Sequence, residues 1–178
     1  MSAASVDTTR PWDLAMLRDA GFRGFHAVSH LRRTSCLEVP AERGVYAVVR
    51  DTDAPPEFMA RSVGGRFRQQ DPTVAVDLLL EHWVEGASLL FLGNASGPGV
   101  RSLLQQRVKR CLRFGQGKVV GHWEGRFIWQ LCDHAALRIA WRTTPDDDPA
   151  AVEGALLDGF ELRYGRLPFA NLRPEATG

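Results

Sequence analysis

The sequence has few cysteines, with three among 178 residues. Cys36, Cys111 and Cys132 are an odd number, and they form neither a CxxC pair nor a Cys/His spacing of the kind that holds zinc. Isolated cysteines predict reduced thiols, which are typical of cytosolic proteins. The sequence therefore argues against a disulfide-rich secreted fold and against a structural zinc site.

Long apolar runs are also missing. The longest, residues 89–92, is far shorter than the ~20 residues that a membrane span needs. Residues 1–10 have no apolar signal-peptide core, so we expect a cytoplasmic protein without a membrane segment. With 44% hydrophobic and 24% charged residues, the chain is typical of a globular domain with its own core, and not of a disordered or fibrous protein.

Hydrophobic spacing and turn residues predict one mixed α/β domain over residues 11–178, after a disordered segment at 1–10. We expect helices where apolar residues recur at helical spacing between capping and stop signals, at 11–19, 71–85, 101–114 and 149–164. We expect strands in short apolar or β-branched runs, at 45–49, 88–92, 127–131 and 137–141. Residues 94–99 are expected to form a loop and residues 168–172 a packed tail.

The net charge is only +1, but the basic residues are concentrated. No Asp or Glu occurs in residues 86–123, a window with seven basic residues: Arg101, Arg107, Lys109, Arg110, Arg113, Lys118 and His122. Arginines outnumber lysines in the whole chain, and guanidinium groups bind phosphate through paired hydrogen bonds. This window predicts a nucleic-acid-binding face. Charge alone leaves a solvated helix face as the alternative, and His122 is either a phosphate contact or a structural residue.

Two charged residues fall on apolar faces of predicted helices. On a helical wheel, Arg107 borders the apolar face of its helix, whereas its basic neighbours point away, so we expect Arg107 to be the more buried. Glu153 lies in the middle of the apolar arc of the last helix. A buried charge requires a partner or a ligand. Either the two residues form an ion pair or both belong to a catalytic site.

Five features, in this order along the chain, resemble the GIY-YIG nuclease superfamily. They are Gly44-Val45-Tyr46, Phe91-Leu92-Gly93, Arg107 in a leucine-then-arginine helix, Glu153, and Asn171 after Pro168-Phe169-Ala170. The resemblance covers residues 44–171. It implies an α+β fold with a small antiparallel sheet of three or more strands flanked by helices. Residues 51–86 would then be an insertion between the two motif strands.

The resemblance implies hydrolysis of DNA phosphodiester bonds with one Mg²⁺ or Mn²⁺ ion. Tyr46 would deprotonate or position the attacking water, and Arg107 would stabilise charge on the phosphate. Glu153 would hold the metal ion, and Asn171 would support the site from behind. Phe91 and Cys111 stand where the family often has hydroxyl or imidazole groups.

The expected partner is double-stranded or branched DNA, in repair or in restriction of foreign DNA. The arginines of the insertion, Arg61, Arg66 and Arg68, would join the basic window in binding it. Because polar groups are missing at Phe91, Asn94 and Cys111, a nucleic-acid-binding module that keeps the fold without catalysis is the alternative. An interaction domain would explain the neutral net charge but not the position of Glu153.

Overall fold

An antiparallel sheet of four strands forms the centre of the fold in the computed structural model, which describes residues 9–172. The strands are β1 (Arg23–Ala27), β2 (Gly44–Val49), β3 (Leu89–Ala95) and β4 (Arg138–Thr143). Their order is β1-β4-β2-β3, so β1 and β3 are the edges. The expected α+β class with a small antiparallel sheet flanked by helices is confirmed. Disorder was expected for residues 1–10, of which 1–8 lie outside the described residues, while Arg10 forms an ion pair with Asp19 at 2.7 Å.

Strand β2 is buried along its whole length because helices cover both faces of the sheet. Its side chains alternate between the two faces, as the period of a strand requires. Tyr46 and Val48 join the core on one face, whereas Val45, Ala47 and Val49 join the core on the other. The sheet therefore separates two apolar layers.

In the described residues 9–172, five α-helices flank the sheet: α1 (Leu14–Asp19), α2 (Val28–Arg33), α3 (Val76–His82), α4 (Leu104–Phe114) and α5 (Pro149–Tyr164). Helices α2 and α4 contribute to the layer that contains Tyr46, and α1 and α5 to the other layer. Helix α5 has the expected bounds. The Asp148 side chain accepts a hydrogen bond from the Ala150 amide at 3.3 Å, and Gly165 ends the helix with φ at 71°. Within residues 9–172, no helix is long and apolar enough to cross a membrane.

The expected strand at 127–131 is wrong. Residues Arg126–Gln130 form a buried 3₁₀ helix, because a short apolar run is equally compatible with a buried strand and a buried helical turn. The expected helix at 71–85 is shorter, because the Asp71 carboxylate accepts a hydrogen bond from the Thr73 amide at 2.8 Å and closes a turn. Strand β3 is longer than expected, because it continues into the first two residues of the expected loop at 94–99 and ends at Ala95.

Arg50 anchors the segment between β2 and β3 to the body of the protein. Its side chain is 8% exposed. The guanidinium donates hydrogen bonds to the Asp133 carboxylate at 2.7 Å and to the carbonyls of Ala54 at 2.5 Å and Pro55 at 3.4 Å. It also lies over the Trp83 ring, 5.7 Å from the ring centroid. One buried cation therefore joins four points of the chain.

We expect only one of the three free thiols to react in the folded protein. Cys36 and Cys111 are buried, and burial raises the pKa of the Cys36 thiol to about 11 and raises that of Cys111 further. Cys132 is exposed. A thiol reagent at pH 8 should therefore modify Cys132 rapidly, and the other two only after denaturation. Rapid reaction of a folded Cys132→Ser variant would contradict the burial of Cys36 and Cys111.

Candidate functional site

The residues expected to be catalytic line one cavity of about 440 Å³. Tyr46 comes from β2, Arg107 from α4 and Glu153 from α5. Phe91 and Asn171 also line this cavity, whereas Cys111 is buried behind it. The volume lies within the usual range of small-molecule sites. The fold thus brings together three residues that are far apart in the sequence.

The cavity lies at the β3 edge of the sheet, where the two layers of helices meet. Helix α4 packs on one face of the sheet and α5 on the other, so Arg107 and Glu153 reach this edge from opposite sides. Tyr46 pairs with Gly93 across β2 and β3. A Cβ atom on Gly93 would lie 2.6 Å from Cε1 of the Tyr46 ring. Glycine is therefore needed at position 93 for the phenol ring to lie across β3.

Arg107 is half-buried, as expected, and it has no ion-pair partner among residues 9–172. Its Nη2 donates a hydrogen bond to the Ser96 carbonyl at 3.2 Å, and its Nε is buried with no hydrogen-bond partner in the described part of the chain. The expected contrast with its neighbours is only partly observed, because Lys109 and Arg110 are half-buried too and Arg113 is exposed. An unpaired guanidinium at a cavity wall suits an anionic ligand.

The Glu153 carboxylate forms a hydrogen bond with the side-chain amide of Asn94 and no ion pair with Arg107 among the described residues. Its Oε2 accepts a hydrogen bond from Nδ2 of Asn94, whose own Oδ1 accepts one from the Ser96 hydroxyl at 2.6 Å. Burial raises the pKa of the Glu153 carboxyl, the Asn94 hydrogen bond opposes this shift, and nearby Glu124 adds to it. The ion pair considered from the sequence is therefore absent from the described residues.

The Tyr46 hydroxyl is a protonated phenol at neutral pH. The side chain is 4% exposed, and this burial raises its pKa well above the usual value; Cys111 adds to the increase and Arg107 opposes it. The Phe91 ring lies 5.9 Å from the Tyr46 ring, so the wall beside the phenol is apolar. Such a hydroxyl is suited to orient a water molecule by hydrogen bonding, and it is a weak base.

His122 is buried in the wall of this cavity and is not on the protein surface. It is 6% exposed, and its ring contacts the Phe91 and Phe114 rings at 5.6 and 6.0 Å between centroids. Burial lowers its pKa to about 4, with smaller contributions from Arg110 and Arg107, so the ring is neutral at pH 7. Its Nε2 is buried, and no described residue forms a hydrogen bond with it. Any contact of His122 with a nucleic acid would therefore occur within the cavity.

Glu124 is a cavity residue that the sequence reasoning missed. It is exposed, it lines the same cavity as Glu153, and it directly follows the acid-free window. It also lines a wider groove of about 1290 Å³ that continues from the cavity along residues 165–168. The end of the acid-free window was its only signal in the sequence, because residues 118–125 contain no helix or strand that would place it.

Asn171 binds the backbone of the edge strand. Its Oδ1 accepts a hydrogen bond from the Leu92 amide at 2.8 Å, and its Nδ2 donates one to the Leu92 carbonyl at 2.9 Å. The Ala170 amide adds a hydrogen bond to the Leu90 carbonyl at 2.8 Å. Phe169 and Ala170 are buried, which confirms the packed tail. The Asn171 side chain thus fixes β3 next to Gly93 and Asn94.

The other expected DNA-binding residues lie outside the cavity, except Arg110, which lines it. Five arginines and one lysine are exposed: Arg61, Arg66, Arg68, Arg101, Arg113 and Lys118. The basic stretch of the insertion lies next to the end of α4, where the Gly65 amide donates a hydrogen bond to the Phe114 carbonyl at 2.8 Å. Arg66 is 3.7 Å from the Asp71 carboxylate, so part of this charge is balanced locally.

The donors of the cavity suit a hard cation that keeps part of its water. Glu153 and Glu124 offer carboxylate oxygens in one cavity. Within residues 9–172, no three His, Cys, Asp or Glu side chains are placed to hold a metal ion by themselves. Mg²⁺ commonly binds through one or two carboxylates together with water and substrate phosphate. The donor set therefore fits Mg²⁺ or Mn²⁺ better than a metal that needs a complete protein cage.

Comparisons with models of protein families, with curated proteins and with solved structures found no match. The resemblance to the GIY-YIG nucleases therefore stays a prediction. Its support comes from this chain alone, namely the order of the five features and the cavity, which is lined by one residue or more from each of them.

Proposed function

We propose that this protein is a divalent-metal-dependent DNA endonuclease that works in DNA repair or in restriction of foreign DNA in the cytoplasm. The observation that carries the proposal is the composition of the cavity. Unpaired Arg107 and neighbouring Arg110 come from one helix layer, carboxylate-bearing Glu153 from the other, and the Tyr46 hydroxyl from the strand between them. A phosphodiester needs cationic groups for its oxygens and a polar group that orients water.

In this proposal Arg107 and Arg110 bind the non-bridging oxygens of the scissile phosphate. The Tyr46 hydroxyl orients the attacking water by a hydrogen bond. Glu153, fixed by Asn94, is the ligand of the divalent ion, which when bound supplies positive charge next to the leaving oxygen. Asn171 keeps β3, and with it Gly93 and Asn94, in position.

The activity itself is tested by metal removal. We expect the full chain to cut DNA duplexes, flaps or branched junctions with Mg²⁺ or Mn²⁺, to stop in excess EDTA, and to recover when the metal is restored. Arg107→Ala should lower cleavage at least 100-fold, because a group that stabilises transition-state charge has been removed. Arg163→Ala, which removes an exposed arginine of α5 outside the basic surface, is the matched control. If the parent protein cleaved none of these DNA forms, the proposed endonuclease activity would be wrong.

A binding module without catalysis is the second candidate. The apolar wall at Phe91 and the raised pKa of Tyr46 favour it, because both reduce the polar chemistry available next to the phosphate. This module would bind DNA as tightly as an enzyme but would leave it intact with Mg²⁺ and with Mn²⁺. Both candidates use the same basic surface.

We expect this surface, formed by α4 and the insertion arginines, to bind DNA in a salt-dependent manner. The double variant Lys109→Glu, Arg113→Glu should weaken binding at least tenfold and reduce the slope of log affinity against log salt by about two, because two phosphate contacts are lost. The measurement is fluorescence anisotropy at several salt concentrations. The control is a double variant, Arg18→Glu with Arg163→Glu, which makes the same charge change at exposed positions of α1 and α5. It should bind DNA as tightly as the parent protein does. Equal losses in both variants would show that net charge alone decides binding.

A further inference from the structure

We propose that the Phe67 and Trp123 rings form a platform on which an unpaired base of the DNA substrate stacks. The inference rests on the proposed nuclease function and specifies its substrate class, which is DNA that carries unpaired nucleotides. Neither residue belongs to the five features that resemble a known family. The fold brings the two rings together, 6.2 Å apart between centroids and with an angle of 32° between their planes.

A tight turn in the insertion presents Phe67. The amides of Phe67 and Gln70 each donate a hydrogen bond to the carbonyl of the other residue, at 3.2 and 2.9 Å. Between them, Arg68 and Gln69 have φ values of 49° and 65°, which a two-residue hairpin turn usually reserves for asparagine or glycine. Within residues 9–172, the half-buried Phe67 ring packs against neither apolar layer of the sheet. The turn therefore holds at the surface an aromatic ring that the core does not use.

Guanidinium groups lie over both rings. The exposed Arg68 side chain lies over the Phe67 ring, 5.3 Å from its centroid, and Arg126 lies over the Trp123 ring at 4.6 Å. Aromatic rings combined with arginines are typical of surfaces that bind single-stranded nucleic acid, because both groups stack on bases. Since Arg68 is exposed, its guanidinium can leave the ring to an incoming base and bind a phosphate of the same strand.

Trp123 places the platform next to the candidate site. Its ring lines the wide groove, and its neighbours in the sequence, His122 and Glu124, line the cavity. The groove volume of about 1290 Å³ is above the usual range for a small-molecule pocket, so the groove has room for nucleotides of a polymer. A strand with one phosphate in the cavity would therefore bring a neighbouring base to the platform.

The charges of the wide groove favour a base over a phosphate backbone. Acidic residues outnumber arginines in its lining, which includes Asp71, Glu124, Glu161, Arg126 and Arg166. A row of phosphates would meet these carboxylates, whereas a neutral base would not be repelled. The exposed arginines of the insertion would bind the phosphates outside the groove. Only an unpaired base can reach the rings, because the bases of an intact duplex are stacked inside it.

DNA binding in EDTA tests the platform without any cleavage. We would measure fluorescence anisotropy with a duplex that has a single-stranded overhang and with the same duplex whose overhang is abasic. The full-length parent should bind the overhang with bases at least about fivefold more tightly, because one stacked base contributes this much or more. Phe67→Leu and Trp123→Leu should each weaken this binding at least about fivefold. The slope of log affinity against log salt should not change, because no phosphate contact is lost.

Two further variants are the controls. Trp123→Phe keeps an aromatic ring and should keep the preference for the overhang with bases. Leu162→Ala removes an apolar side chain that is 75% exposed on α5, and it should bind like the parent. Circular dichroism confirms that each variant is folded. Trp123 also packs against the core, so Phe67→Leu is the variant that tests the platform with the least effect on stability.

Equal affinity of the parent for the two overhangs would overturn the platform, as would parent-like binding by either folded leucine variant. A parent dimer that Trp123→Leu converts to a monomer in analytical ultracentrifugation would assign the rings to a second copy of the chain, and this would also overturn the proposal. Cleavage is measured separately with Mg²⁺ or Mn²⁺. A parent protein that prefers the overhang with bases through both rings and cuts no DNA would uphold this inference and refute the proposed nuclease.

Discussion

Glu153→Gln should abolish metal-dependent DNA cleavage, with a loss of 100-fold or more, and leave DNA binding close to that of the parent. Glutamine keeps the shape of the side chain and can still accept a hydrogen bond from Asn94, but it loses the negative charge that a divalent cation requires. The Arg107 and Arg110 side chains, which would bind the phosphate, are untouched. Cleavage rates and anisotropy measured on one preparation give both results.

Thermal melting of the same variant separates catalysis from structure. If Glu153 served only as the ion-pair partner of Arg107, its loss would strand a buried guanidinium and cost about 3–5 kcal/mol. We expect no such cost, because the two side chains are not paired and burial already disfavours the charged carboxylate. Asp158→Asn is the matched control on the exposed side of α5. Parent-like cleavage by Glu153→Gln would remove Glu153 from the mechanism.

Arg50→Ala should lower the free energy of unfolding by about 3–5 kcal/mol, which corresponds to roughly 6–20 °C in Tm. The substitution removes the partner of Asp133 and leaves the carbonyls of Ala54 and Pro55 without their hydrogen bonds. It also removes the cation over the Trp83 ring, and with it apolar packing of the arginine stem. Chemical denaturation with circular dichroism measures the change.

Arg138→Ala is the control for this effect. Arg138 pairs with Asp51 at 3.0 Å, but both side chains are more than 40% exposed, and surface pairs contribute about 0–1 kcal/mol. We also expect limited proteolysis to cut residues 51–75 of the Arg50→Ala variant before the rest of the chain. Equal stability losses in the two variants would mean that the buried position of Arg50 has no special effect.

The parts of the fold that could be predicted carry their own local signals. Helix α5 has a capping aspartate, a first-turn proline and a terminal glycine, and β2 has a β-branched run. Strand β1 has no such signal, because it contains an irregularity between Gly24 and His26 and a positive φ at Phe25. The sequence of the 3₁₀ helix Arg126–Gln130 resembles that of a buried strand, because every position after the first is buried.

The same distinction applies to the candidate site. Arg107 and Glu153 lie on helices, so the helical period shows which way their side chains point, and the structure places both at one cavity. His122 and Glu124 lie in an irregular segment, where no helix or strand period predicts which way a side chain points. The contact between Asn94 and Glu153 depends on the packing of α5 against β3, which no local pattern encodes.

The hydrogen bonds of the tail to β3 also protect the protein from self-association. β3 is a long apolar edge strand, and an uncovered edge of this kind offers free backbone groups to a strand of another molecule. Asn171 occupies both backbone groups of Leu92, and Ala170 occupies the carbonyl of Leu90. The residues that brace the candidate site therefore also block strand pairing between molecules, so damage to the tail would reduce solubility together with any activity.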